Sequence, residues 1–171
     1  MRFVLNLLIP ILTLTVIVLS AYGAGLRLNP TQSMPVGVYR LEPGRLRHGD
    51  CVSFSLTGPY RRIARERGYL GTYPRPLLKR IAALPGDRIL VTNHGVIVNG
   101  RIVPDSRPRP TDRMGRPLPV FPAPPTVPQG KALVLSDHPD GFDGRYFGLV
   151  DMARLKRAVP VFIFSKENCD D

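Results

Sequence analysis

From Phe3 to Leu26 the chain runs for 24 residues without a charge. As one helix rising about 1.5 Å per residue this is roughly 36 Å long, against a bilayer hydrocarbon core of about 30 Å. The run is apolar all round, so it does not suit the surface of a globular core, where one face must be polar. We expect a membrane anchor. The competing reading is a cleaved signal peptide, because Ala21, Tyr22 and Gly23 give small residues at A-x-A-like spacing. The length of the run favours the anchor, Thr13 and Thr15 can bond back within the helix, and Pro10 is a candidate kink. The chain thus divides into an anchor or signal segment, 1–26, and one domain, 27–171. Flanking charge does not orient it: Arg2 stands on one side, Arg27 and Arg40 on the other, and long domains translocate largely regardless of charge.

Beyond Pro30 the pattern changes to short runs of Val, Ile, Leu and Phe broken by Gly, Pro, Asn and Asp, which predicts strands. They fall at 36–41, 51–56, 78–84, 88–92, 96–103, 131–136 and 159–164, with hairpin turns at His94-Gly95 and Asn99-Gly100. One helix is expected over 60–67, with Tyr60, Ile63, Ala64 and Tyr69 on its inner side and Gly68 as its stop. Residues 103–128 hold nine prolines and little periodic hydrophobicity, so they read as one long extended loop. The fold class is therefore mainly β, an antiparallel and partly closed sheet with one short helix after the N-terminal segment.

Lys plus Arg outnumber Asp plus Glu by 24 to 13, a formal charge of +11. Such a field attracts nucleic acid, anionic lipid and acidic partners alike. Trp is absent, and no zinc-finger, RRM or basic-heptad pattern appears, so nucleic acid is not the expected partner. Cys51 and Cys169 lack the spacing of a metal or redox pair, and we favour a buried residue and a free thiol over a disulfide. His48, His94 and His138 sit in turn-like company, so neither a metal nor a cofactor is expected.

Three segments call for a common chemistry: Thr31 and Ser33 beside the apolar run, Lys79 within 77-LLKRIAAL-84, and 137-DHPDGFDGRYFG-148. Strand alternation sends Lys79 and Arg80 to opposite faces, so one cation faces inward. A buried lysine loses hydration of its charged form, its pKa falls, and the free amine can then take a proton from a hydroxyl. A serine–lysine pair catalysing acyl transfer needs no histidine.

The ordered motifs S-M-P at 33–35, H-G-D-C-V-S-F at 48–54, L-K-R-I-A-A-L-P-G-D at 78–87 and F-D-G-R-Y-F-G at 142–148 resemble type I signal peptidases. With R-G-Y-L at 67–70 and the G-V-Y after the serine, the chain resembles their TraF-type branch of conjugative transfer peptidases. The resemblance implies a signal-peptidase-like β domain on the periplasmic face of the bacterial inner membrane. It makes Ser33 the nucleophile and Lys79 the general base, with Thr31 and the Ser33 backbone N–H as oxyanion donors. Asp143 and Arg145 match the residues that hold the site together, and Met34 matches an apolar contact to membrane or substrate. Gly86 and Asp87 read as the turn after the lysine strand.

The implied partners are a pilin precursor as substrate, inner-membrane lipids, and other conjugative transfer or mating-pair proteins. The implied activity is processing of that pilin for pilus assembly, with the acyl-enzyme resolved either by water or, in a cyclisation, by an amine; the alternatives are a general leader peptidase and a noncatalytic assembly factor. Two positions depart from the pattern. Gly141 stands where many members have a serine that orients the lysine amine, leaving Ser136, a backbone carbonyl or water to replace it. Gly144 stands where a second serine is usual.

Overall fold

The computed structural model describes residues 2–70 and 76–164, with side chains from Leu8 onward. Helix α1 spans Arg2–Gly23 and contains Pro10. As expected, Thr13 and Thr15 donate back to the carbonyls of Ile9 and Ile11, at 2.9 and 2.8 Å. Among the residues with described side chains, which begin at Leu8, no helix is long and apolar enough to cross a membrane; the expected anchor run starts before them, at Phe3.

The strands that follow are β1 (Leu26–Asn29), β2 (Gly37–Glu42) and β3 (Cys51–Phe54), then, after helix α2 (Gly58–Glu66), β4 (Leu77–Ala83), β5 (Ile89–Thr92), β6 (Gly95–Val98), β7 (Arg101–Ile102) and β8 (Lys131–Leu135). Helix α3 (Gly144–Phe147), β9 (Val150–Asp151), a 3-10 turn at Met152–Arg154 and β10 (Lys156–Ile163) complete the elements of the described residues. The main sheet has seven strands in the order β1-β2-β10-β3-β4-β8-β9, and β5-β6-β7 form a second sheet. Every strand pair is antiparallel.

Most boundaries follow from local chemistry. Asn99 and Gly100 take φ of 51° and 81°, so this dipeptide makes the β6–β7 turn as expected and splits the predicted 96–103 strand in two. The other turn lies one residue earlier than predicted. Thr92 pairs with Gly95, leaving Asn93 and His94 at the tip, because the Thr92 hydroxyl accepts from the amides of His94 and Gly95 and donates to the Gly95 carbonyl. Gly68, at φ 77°, ends α2, with Tyr69 N–H donating to Ala64 and Gly68 N–H to Arg65.

Partners across an antiparallel pair share a face. Val52 opposite Lys79 and Val134 opposite Ile81 therefore point to the core of Val52, Phe54, Ile81, Val134 and Phe147, against which Tyr60 and Tyr69 pack. On the other face Cys51 lies opposite Arg80, beside the cluster of Met34, Tyr39, Leu78 and Ala158. Burial pushes the Cys51 thiol up to about 12 and keeps it protonated. Cys169 lies outside the described residues.

The 103–128 segment is an extended loop, as its prolines predict, but it is tied down along its length. Arg67 donates to Pro117 O, Arg116 to Arg67 O, and the Tyr69 hydroxyl to Asp112. The loop is a strap tied to the R-G-Y-L exit of α2.

Candidate active site

Ser33 lies in the turn between β1 and β2, half-buried, with its Oγ 3.1 Å from Thr31 Oγ1. The buried Asn29 side chain at the end of β1 shapes this turn. Its Nδ2 donates to the carbonyls of Thr31, Met34 and Pro35, and its Oδ1 accepts from the Thr31 hydroxyl at 2.8 Å and more weakly from the Thr31 amide. Met34 is 1% exposed and lines a cleft of about 250 Å³ together with Tyr39, Cys51, Arg80, Arg157 and Ile163. Any contact it makes with a substrate is made from inside that cleft.

Lys79 sits mid-sheet on β4, between β3 and β8. Of the two adjacent cations it is the one that turns inward, at 3% exposure, while Arg80 faces outward and pairs with Asp137. Loss of hydration is the largest influence on its amine. The Asp143 carboxylate opposes it, the Arg145 guanidinium reinforces it, and the net result is a pKa lowered from 10.5 to about 8.

The two segments meet through β8. Arg80 pairs with Leu135, so one step back along β4 and one step on past β8 set Lys79 opposite Ser136. The Ser136 hydroxyl donates to the Ser33 carbonyl at 2.8 Å, and the Asp137 amide donates to the same oxygen at 2.9 Å. Ser136 N–H in turn donates to Asp143 Oδ2 at 2.8 Å. Asp143 caps α3 and is gripped by both arms of the Arg145 fork, Nε and Nη2, each at 2.8 Å, with 0% and 1% of the two side chains exposed. The remaining Arg145 hydrogens reach the carbonyls of Pro139, Gly141, Arg107 and, at longer range, Asp105. A line of support runs from strap to Arg145, Asp143, Ser136 and the Ser33 turn.

Both departures from the family pattern have a steric reason. A Cβ on Gly141 would lie 2.2 Å from Ser136 Oγ, so the Ser136 hydroxyl already fills the space a side chain at 141 needs. A Cβ on Gly144 would meet Val134 O and Leu133 Cδ1, both at 2.7 Å, which leaves no room for a second serine against β8. Of the residues expected from sequence, Thr31 and Ser33 are brought together, Asp143 and Arg145 form one unit whose charges act on Lys79, and among the described residues no hydrogen bond joins Lys79 to Ser33. Sequence reasoning overlooked Asn29. Its one signal was an Asn-Pro step at a strand end, two residues before a candidate oxyanion donor.

An inward lysine of lowered pKa and a supported serine turn stand on one antiparallel β scaffold. The profile described as signal peptidase, peptidase S26, matches residues 1–163, and the chain belongs to that family. Its relatives include a plasmid transfer protein TraF of Escherichia coli, 36% identical over 149 residues, covering 81% of this chain and 82% of that protein. A conjugal transfer protein TraF of Agrobacterium tumefaciens is 38% identical over 156 residues, covering 85% and 86%. Among solved structures, a signal peptidase I from Enterococcus faecalis is 22% identical, covers 69% of this chain and 99% of that one, and superposes with a TM-score of 0.43.

Proposed function

We propose that the chain is a serine peptidase of plasmid conjugation, anchored by α1 in the inner membrane with its domain on the periplasmic face, and that it processes and cyclises a pilin precursor. The observation that carries the catalytic part is Lys79: a lysine 3% exposed, its amine near pKa 8, cross-strand from the serine that holds the Ser33 turn. The conjugal part rests on the TraF relatives.

In this reading Ser33 Oγ attacks the scissile carbonyl while its proton passes to the Lys79 amine. Thr31 and the Ser33 N–H donate to the oxyanion, and the lysine returns the proton to the departing amine. The acyl-enzyme is then open to the pilin's own N-terminal amine, which closes the ring, or to water, which gives a linear product. Asp143 and Arg145 act by position, through Ser136. No metal or cofactor is called for. Lipids and other transfer proteins are the expected neighbours, with the basic surface contributing about 1 kcal/mol per well-placed Lys or Arg at an anionic leaflet.

Intact mass of the pilin from donor cells tests the proposal. Wild type should yield a trimmed pilin lighter by one water than its linear form, and Ser33→Ala and Lys79→Ala should each leave the precursor and abolish transfer. Maturation and transfer that survive both substitutions rule out the catalytic reading, and a precursor unchanged in every strain rules out pilin as substrate.

A further inference from the structure

The Asn29 network fixes the direction of every hydrogen bond around the nucleophile. Three carbonyl oxygens, those of Thr31, Met34 and Pro35, stand 2.9 to 3.1 Å from one terminal atom of the Asn29 side chain. Only the NH2 end satisfies them, so the other end is the oxygen, a pure acceptor. The Thr31 hydroxyl, 2.8 Å from that oxygen, must donate to it. A hydroxyl carries one proton. At the 3.1 Å contact between Thr31 and Ser33 the donor is therefore Ser33. The resting site is a relay with a single polarity, Ser33 O–H to Thr31 O–H to Asn29 C=O, and the Thr31 proton is held by Asn29.

We propose that Asn29 is a positioning residue for the reaction: it aims the Thr31 hydroxyl and clamps the turn that presents Ser33. The proposal rests on the serine-peptidase reading above. When Ser33 gives its proton to Lys79, Thr31 loses the donor it was accepting from, and its O–H is free to swing from Asn29 to the oxyanion. Asn29 sets the start of that swing. At 8% exposure, and with Nδ2 spanning three carbonyls, it also keeps the turn from opening between substrates.

The test uses the full chain in detergent and an alkyl fluorophosphonate. Ser33 Oγ bonds to phosphorus, the P–F bond breaks, fluoride leaves and the serine proton passes to the Lys79 amine; intact mass reads the product. Wild type should label at Ser33 with a rate that rises through about pH 8, where Lys79 loses its proton, whereas S33A and K79A should not label. Asn29→Ala should lower the plateau rate about 10- to 100-fold, short of the roughly 100- to 1000-fold of a lost oxyanion donor. Its pH midpoint should stay in place, and in a Thr31→Val background the same substitution should cost less than about 3-fold.

Losses that multiply across the two backgrounds, or a midpoint that climbs toward that of a hydrated lysine, reduce Asn29 to a structural residue. Asn29 variants that label like wild type overturn the proposal outright. A wild type that labels no faster than S33A sinks the serine-peptidase reading, and this inference with it. Should Asn29→Ala not fold, the coupling is read from exposed Thr31. In T31V the Asn29 side-chain amide protons should exchange with solvent about tenfold faster than in wild type, and unchanged exchange overturns the proposal.

Discussion

At position 79 an amine is held at 3% exposure on the core face of the sheet, where Val52 is its cross-strand neighbour. Its folded pKa is about 8 against 10.5 in the unfolded chain. Between those two values the unfolded chain binds more protons, so stability climbs as pH rises from about 8 to 10.5, and below 8 the whole penalty stands. At about 1.36 kcal/mol per pKa unit this penalty is on the order of 3 kcal/mol. Lys79→Met, which keeps the length and drops the charge, should therefore raise stability at pH 7 by about 1–3 kcal/mol and flatten its rise toward pH 10, while abolishing peptidase activity. Denaturant unfolding at pH 7 and pH 10 measures this, and a Met variant less stable than wild type at pH 7 would refute it. Composition revealed none of this. Alternation forces one member of the Lys-Arg pair inward without saying which, and it was the resemblance of 78–87 to the signal-peptidase motif that singled out the lysine.

Among the elements, the strap and the 137–148 loop converge on one guanidinium. Arg145 satisfies carbonyls from 105, 107, 139 and 141 at partly buried positions, and grips both oxygens of Asp143 in the buried interior. Removing one partner of a buried pair strands the other, at about 3–5 kcal/mol. Arg145→Ala should lose that much in denaturant unfolding. Arg145→Lys should recover little of it, since an ammonium cannot grip both carboxylate oxygens as a planar fork does. A lysine variant as stable as wild type would show that charge alone suffices.

Strands β3, β4, β5 and β8 were legible to within two residues at both ends, because burial on one or both faces leaves a clear pattern. Strand β1, the two-residue β9 and helix α3 were not foreseen. They are short and held by tertiary bonds, α3 by the Asp143 cap and β1 by pairing to β2. The strap's role was equally hidden, since its ties are single side chains meeting carbonyls some 38 to 50 residues away.

Over the whole molecule, the first link to settle is the one between α1 and the sheet. Ala24 N–H still donates to Ser20 O, and Arg27 lies 3.6 Å over the Tyr22 ring while also donating to Tyr22 O, so side-chain and backbone contacts tie the start of β1 to the end of the helix. Ser33 follows Gly23 by ten residues, a reach of at most about 36 Å even fully extended. A helix embedded in the bilayer would hold Ser33 within that distance of its surface. A substrate held in the same membrane then meets the enzyme at high effective concentration, whereas a domain released by cleavage meets it by three-dimensional diffusion. Cleavage after Gly23 would also remove Tyr22 from beneath Arg27 and leave β1, an edge strand, at a free terminus. We therefore expect the mature protein to keep residues 3–26, to resist carbonate extraction from membranes, and to yield peptides from this segment in mass mapping. An N-terminus at Ala24 on protein found in the soluble periplasmic fraction would overturn the anchor and, with it, the account of how a peptidase of this size finds its substrate.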